Sequence, residues 1–317
     1  MKPLVLITGG NGFIGRALIQ KLLQKGYRVR VLTRRKPRKS DNPDVEFIQV
    51  DYSDHKTLRK TMLGCEGIFN LAGTIFGFNY QDFEKGNVTV TKQIVAAANT
   101  VFSMRTFVHV SSLAASGYAR RSRRPRVEKD AAQPVSDYGR TKLLGEKAVK
   151  QLHQHIKRTI IRPPIFYGKN DSGVSKIAAW VKRGLMVNTS GEGYFSFVYV
   201  EDLVEALYQA YVRPETNRET YFVAEPTVYL WDYFITQMAA AMHVRKPLMP
   251  KAPVWAMRAA AWTYEKIAKL TGIAPALNYD KVTEAIIPGH WICNSEKWRK
   301  LTGQEFTSLK KGLEQSF

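Results

Sequence analysis

Two apolar patterns alternate along the first half of the chain. Short segments rich in apolar and β-branched residues, read as strands, occur at 3–8, 27–33, 45–51, 67–72, 106–111 and 158–162, the first of them a buried strand. The segments between them read as helices. Ile14, Leu18 and Leu22 recur every four residues before Gly26. Residues 53–63 read as a helix capped by Ser53 and stopped by Gly64, residues 82–100 as one long helix, and residues 138–155 as another. Strands and helices in strict alternation with short connections predict an α/β fold, a doubly wound parallel sheet with helices on both faces. After Pro163-Pro164 the pattern loosens into a strand at 195–200, a helix at 201–211, a strand at 221–223 and a helix-rich, broken stretch to the C-terminus. We therefore expect residues 1–166 with 195–226 to form the sheet domain. Residues 167–194 with 227–317 should form a smaller, helix-rich lobe over the carboxyl edge of the sheet.

Composition narrows the class without changing that picture. An apolar share of 44% and a charged share of 24% over 317 residues fit a globular enzyme-sized chain and exclude disorder or collagen-like repeats. Two cysteines, Cys65 and Cys293, cannot build a disulfide framework, so a reducing compartment and a cytoplasmic location are expected. The opening apolar run 4–7 is too short for a signal peptide, and no run of 18 apolar residues exists. The six histidines form no metal-ligand cluster; His153 and His155 read as a solvated helix end. Charge is the exception. Lys and Arg number 48 against 27 acids, a net +21, which favours contact with something anionic but does not bear on the fold.

Gly9, Gly12 and Gly15 follow the first strand and open the first helix at G-x-x-G-x-x-G spacing. The first permits a tight turn, the second lets backbone approach a pyrophosphate, and the third lets helix pack on strand. Sites that select NAD place an acid at the end of the second strand to hold the ribose 2′-hydroxyl. Here that place reads Thr33-Arg34-Arg35, and a guanidinium binds a 2′-phosphate bidentately, so NADP is preferred, with NAD as the alternative. The competing reading of Arg34 and Arg35 is a solvated basic loop that continues through Lys36, Arg38 and Lys39.

Tyr138 and Lys142 stand four apart at the start of a helix and so share a face. A phenol with a reference pKa of about 10 is a poor acid–base at neutral pH, and a neighbouring ammonium favours its phenolate. Ser112 closes the fifth strand at the edge where ligands of such sheets sit, beside Tyr138.

On these residues the chain resembles the extended short-chain dehydrogenase/reductase family, which includes the NAD(P)-dependent epimerase/dehydratases. The matching segments are Thr8 through Gly15, Asp51, Asn70-Leu71-Ala72-Gly73, Asn87, Val110-Ser111-Ser112, Tyr138-Gly139-Arg140-Thr141-Lys142, Arg162 through Gly168 and Phe197 through Asp202. The resemblance implies that Gly9, Gly12, Phe13, Ile14 and Gly15 meet the pyrophosphate, Asp51 the adenine edge, and Leu71, Ala72 and Gly73 the adenosine path. It implies that Tyr138 transfers the proton, that Lys142 binds the nicotinamide ribose and lowers the phenol's pKa, and that Ser112 holds the substrate oxygen, with Ser111 as fallback. Backbone from Pro163 to Ile165 would lie near the nicotinamide. A homodimer through 82–100 and 138–155 is implied as well.

Departures from the sugar-nucleotide members point to a branch. Ile165 stands where those enzymes carry an Asn, and Tyr194-Phe195-Ser196 replaces a charged Arg-Asp pair. The chain thus resembles the 3β-hydroxysteroid dehydrogenase and dihydroflavonol reductase branch, with a flat or apolar small-molecule substrate. The alternatives are a nucleotide-sugar epimerase or dehydratase and a non-catalytic nucleotide-binding subunit. The tail His290 through Asn294 with Leu301-Thr302-Gly303 resembles an end segment that both branches share. Two stretches stay open. Arg120, Arg121, Arg123, Arg124 and Arg126 read as a solvated loop or as an attractor for an anionic substrate. The aromatic and basic stretch 253–270 reads as a core-packing helix of the lobe, with a helix on an anionic membrane surface as the less favoured reading. No motif supports nucleic-acid binding.

Overall fold

Parallel strands covered on both faces need apolar residues on both sides, and the chain supplies them. A computed structural model describes residues 2–36, 40–120, 124–186, 193–271, 279–287 and 289–317. Among these residues ten strands are seen: β1 (Leu4–Thr8), β2 (Arg28–Thr33), β3 (Val45–Gln49), β4 (Gly67–Asn70), β5 (Thr106–Val110), β6 (Lys157–Arg162), β7 (Ile165–Tyr167), β8 (Tyr194–Tyr199), β9 (Glu219–Phe222) and β10 (Val228–Leu230). Seven form one sheet in the order β3-β2-β1-β4-β5-β6-β9, every pair parallel. The direction of winding reverses between β1 and β4, so their carboxyl ends open the crevice where such sheets bind ligands. A second, three-stranded sheet, β10-β8-β7, builds out from that edge.

Side-chain alternation divides the core. Val5, Ile7, Val29, Val31 and Phe69 face helices Phe13–Gln24 and Val200–Val212. Leu6, Leu32, Ile68, Phe107 and Ile160 face helices His55–Met62, Val90–Asn99 and Asp137–Val149. Burying each such large side chain contributes about 1.5–3 kcal/mol, and both layers hold the sheet edge rigid beneath the site.

Three helix expectations are corrected, the first being that the helix read over 138–155 ends at Val149, which leaves His153 and His155 beyond it. Asp54, not Ser53, caps His55–Met62, its carboxylate accepting from the Thr57 N–H at 3.0 Å. The long helix is not uniform: Tyr80–Glu84 and Val90–Asn99 are joined by a π turn at Lys85–Thr89. Gly86 explains it, because a Cβ there would fall 1.9 Å from Thr74 Oγ1. The close approach brings the Asn87 amide onto the Thr74 backbone. Strands β7 and β10 are three residues each, too short to show a period, while helix Ser172–Lys182 was not expected although Val174, Ile177, Ala178 and Val181 recur at helical spacing.

Candidate functional site

The glycine-rich turn leaves a helix N-terminus open. Gly12 N donates to Gly9 O at 2.9 Å, closing the turn, and Gly9 has φ 71°. A Cβ on Gly9 would lie 2.9 Å from the Leu71 backbone, and one on Gly15 would lie 2.5 Å from Gly10 Cα. Helix Phe13–Gln24 has no side-chain cap and no acid in its first turn, and Gly12 is exposed. Free N–H groups and the positive end of the helix dipole therefore face solvent at the sheet's switch point, a fit for a dinucleotide pyrophosphate. Ile14 and Gly15 are buried beneath this turn, and Phe13 stacks on Phe166 at 6.1 Å.

Side chains lace the crevice floor together. Thr8 Oγ1 donates to Asn70 Oδ1 at 2.7 Å and accepts from Ala72 N at 3.1 Å, which ties Leu71-Ala72-Gly73 to the end of β1. Thr33 Oγ1 accepts from Asn11 Nδ2 and from Arg35 N, both at 3.2 Å, tying the glycine turn to the end of β2. Arg34, Arg35 and Lys36 emerge there fully exposed, while Arg38 and Lys39 lie outside the described residues. Asp51 is exposed too, and the Ser53 N–H on its carboxylate holds it below the usual range.

Helix Asp137–Val149 carries the candidate chemistry. Lys142 is 5% exposed, and its Nζ donates to Val110 O at 2.6 Å. Burial pulls its pKa down to about 8, opposed by the nearby Glu146 carboxylate. A Cβ on Gly73 would sit 3.6 Å from that ammonium, so Lys142 reaches the crevice floor. Tyr138, half-buried one turn earlier, packs edge-on to Phe83 at 6.4 Å. The Asn87 amide donates to Thr141 Oγ1 at 3.0 Å and locks the π turn against the same helix. His109, also buried here, takes Asn70 Nδ2 on Nδ1 at 3.1 Å. Because Asn70 Oδ1 already accepts from Thr8, Nδ1 is the acceptor and the proton sits on Nε2. Burial and the Lys142 cation keep that imidazole neutral.

The two adjacent serines part ways. Ser111 Oγ donates at 2.5 Å to Glu146, whose carboxylate also takes Arg162 in two bonds of 2.8 and 2.7 Å, all of it buried. Ser112 is half-buried, and its hydroxyl accepts from Ala114 N at 3.1 Å, which leaves its own proton available to a ligand. Leu113 N donates to Pro163 O at 2.9 Å, so the loop after Ser112 is tethered to the Pro163–Ile165 backbone. Ile165 is half-buried at the head of β7.

The lobe contributes groups that the sequence did not reveal. Asp280, from helix Tyr279–Ile286, accepts from the N–H groups of Asp137 at 2.6 Å and Tyr138 at 3.2 Å, while Ser136 Oγ donates to Glu284. The candidate helix thus begins under one carboxylate, that of Asp280, borrowed from 143 and 142 residues away. Such long-range partners leave no local spacing to read.

Three expectations about the surroundings change. Phe195 and Ser196 are buried in β8 and only Tyr194 is half-exposed, so that triplet is mainly structural: a strand buried on both faces consumes its aromatics. The described part of the basic loop is anchored at Arg126, while Arg120 and Arg124 are exposed. Arg126 donates to Ser116 and Ala131, its N–H to Ile292 O, and Arg124 pairs with Asp130. Arg121 and Arg123 lie outside the described residues. Helix Val254–Thr271 is not a core helix: Trp255 is 73% and Trp262 61% exposed. Among the described residues no group of three or more possible metal ligands exists, and no helix is long and apolar enough to cross a membrane.

Comparison with known proteins agrees with this geometry. Ceramide reductase of Caulobacter vibrioides is 30% identical over 211 residues, covering 65% of this chain. dTDP-6-deoxy-L-talose 4-dehydrogenase (NAD(P)(+)) of Kitasatospora kifunensis is 32% identical over 194 residues, covering 59% of this chain. The chain spans 60% of the length of each relative. The solved structure of MoeE5 in complex with UDP-glucuronic acid and NAD superposes with a TM-score of 0.76 at 19% identity, covering 98% of this chain and 97% of that one, which shows the shared fold. The model of the NAD dependent epimerase/dehydratase family matches residues 5–224, the segment that holds the glycine turn, Ser112, Tyr138 and Lys142, and the chain belongs to that family.

Proposed function

We propose that the chain is an NADP-preferring oxidoreductase that transfers a hydride between the nicotinamide and a secondary alcohol or ketone carbon of a small-molecule substrate. The observation that carries this reading is the buried Lys142 ammonium one helical turn from Tyr138, reaching the floor of a crevice that begins at an uncapped helix N-terminus. Gly9, Gly12, Phe13, Ile14 and Gly15 would hold the pyrophosphate, Leu71, Ala72 and Gly73 the adenosine side, and Pro163 and Ile165 the nicotinamide side. When bound, the nicotinamide supplies hydride exchange at its C4. Tyr138 gives the proton to, or takes it from, the substrate oxygen, and Ser112 orients that oxygen by donating a hydrogen bond. The Lys142 charge makes the phenolate accessible near neutral pH. Ile165 in place of a polar side chain favours an apolar substrate over a sugar nucleotide. A retained nucleotide-sugar, sought by mass spectrometry of the denatured purified protein, would shift the assignment to the epimerase or dehydratase reading, which the talose dehydrogenase relative supports.

Cofactor choice tests the role of Arg34 and Arg35. Replacing both with Gln removes charge-assisted bonds worth about 1.5–3 kcal/mol, so NADPH affinity falls about 10- to 100-fold while NADH affinity stays nearly constant. Fluorescence titration reads both. Equal losses for the two nucleotides would assign these arginines to a merely basic loop.

The pH dependence follows from Lys142. In the reduction direction both Tyr138 and Lys142 act protonated, so kcat/KM should fall on an alkaline limb near pH 8, where the buried ammonium titrates. Stability takes the opposite sign. The folded pKa of about 8 lies below the ordinary lysine value of 10.5, so the folded state releases this proton first. The cost of burying the charge is present in full below pH 8, and stability from this group rises with pH from about 8 to 10.5. An alkaline limb only above pH 10 would contradict a buried, functional Lys142.

A further inference from the structure

Helix Val254–Thr271 lays its apolar side chains open to solvent. Trp255, Trp262 and Leu270 are 73%, 61% and 88% exposed, and Ala261 is the one buried residue among its described side chains. Trp255, Arg258, Trp262 and Lys266 follow spacings of three and four, so they share a stripe of the helix. Lys266 Nζ stands 5.5 Å over the Trp262 ring. Charge there is one-sided: segment 245–270 carries Arg245, Lys246, Lys251, Arg258, Lys266 and Lys269 against Glu265 alone. Exposed apolar groups continue where the chain leads into the helix. Leu248 is 75% exposed and bonded through its N–H to Gly184 O, next to Trp180 with Arg183 stacked 5.2 Å over its ring.

We infer that this face docks on the surface of an anionic lipid bilayer. Tryptophan rings sit at the headgroup level, where one edge is apolar and the other wet, and lysine stems lie along apolar surface with the charge in the headgroups. Interleaved tryptophans and cations suit that boundary. A protein partner of this charge would need a compensating acidic face, whereas an anionic leaflet offers the complement uniformly. The inference stands on exposure and charge alone and does not depend on the reaction proposed above. Its location adds a consequence: helix Val254–Thr271 packs on helix Tyr279–Ile286, whose Asp280 caps the helix carrying Tyr138. The docking face is one helix removed from the candidate active site.

Vesicle co-sedimentation tests it. The full chain should bind vesicles of phosphatidylcholine mixed with phosphatidylglycerol and not phosphatidylcholine alone, with a blue shift of tryptophan emission. Trp255→Ser combined with Trp262→Ser should reduce binding about tenfold or more, Lys251→Gln and Lys266→Gln about fivefold each, and high salt should release the protein. Circular dichroism and the thermal midpoint should be unchanged, since these side chains are exposed. Absence of binding to the anionic vesicles overturns the inference, as does binding that survives the double tryptophan replacement. A concentration-dependent dimer that this replacement makes monomeric, without vesicle binding, would place a second copy of the chain on the face instead.

Discussion

Tyr138→Phe is expected to lower kcat about 10²- to 10⁴-fold on whichever alcohol or ketone the wild-type enzyme turns over, with nicotinamide nucleotide affinity nearly unchanged. The phenol hydroxyl is the one group of that side chain that exchanges a proton, and its removal leaves the ring packed against Phe83. The capping bonds of Asp280 go to the backbone of Asp137 and Tyr138, so the replacement does not disturb them. Fluorescence titration with NADPH and steady-state kinetics separate the two effects. A variant that retains near-wild-type turnover would remove Tyr138 from the chemistry, and a variant that no longer binds the nucleotide would show a structural role instead.

Glu146→Ala should destabilise the fold by about 3–5 kcal/mol, read as a lower denaturant midpoint. The Arg162 side chain is 8% exposed and the Glu146 side chain 3%, so removing the carboxylate strands a buried guanidinium and takes the acceptor from Ser111 Oγ. Little of either partner is open to solvent, which separates this pair from the exposed ion pairs of the chain, such as Lys300 with Glu296, worth little each. Replacing the pair together by Leu at 146 and Met at 162 should recover most of the loss, because the cost lies in the unpaired charge rather than in the missing attraction. The single replacement should also move the alkaline limb of activity below pH 8, since the Glu146 charge supports the Lys142 ammonium. A midpoint equal to that of the wild type would show that water reaches Arg162.

The sheet half of the fold was legible in the sequence because its rules are local. Strands buried on both faces are mostly apolar in their middles, the paired Arg30 of β2 and Glu46 of β3 being an exception, and Ile14, Leu18 and Leu22 mark a helix by period alone. The glycine turn, Tyr138 and Lys142 announce themselves by spacing and by place after a strand. What stayed hidden depends on distant encounters. Glu146 meets Arg162 only because a crossover returns β6 beside β5, and Asp280 meets Tyr138 only because the chain returns to this helix 142 residues later. The π turn at Gly86 is set by a contact with Thr74 that no periodicity records. Residues 253–270 were misread for a related reason. Their apolar content suggests a core, but among the described residues no second layer covers Trp255 or Trp262. Of Ser111 and Ser112, the family resemblance selected the second, and the structure shows the first committed to Glu146.

A crystal structure of the chain with NADP bound tests the central claim most directly. The account predicts the pyrophosphate against the N–H groups of Phe13 and Ile14, the 2′-phosphate between Arg34 and Arg35, and the Lys142 ammonium on the nicotinamide ribose with the Tyr138 hydroxyl beside the ring's C4. A nucleotide seated in this crevice whose nicotinamide end lies out of reach of both Tyr138 and Lys142 would contradict it.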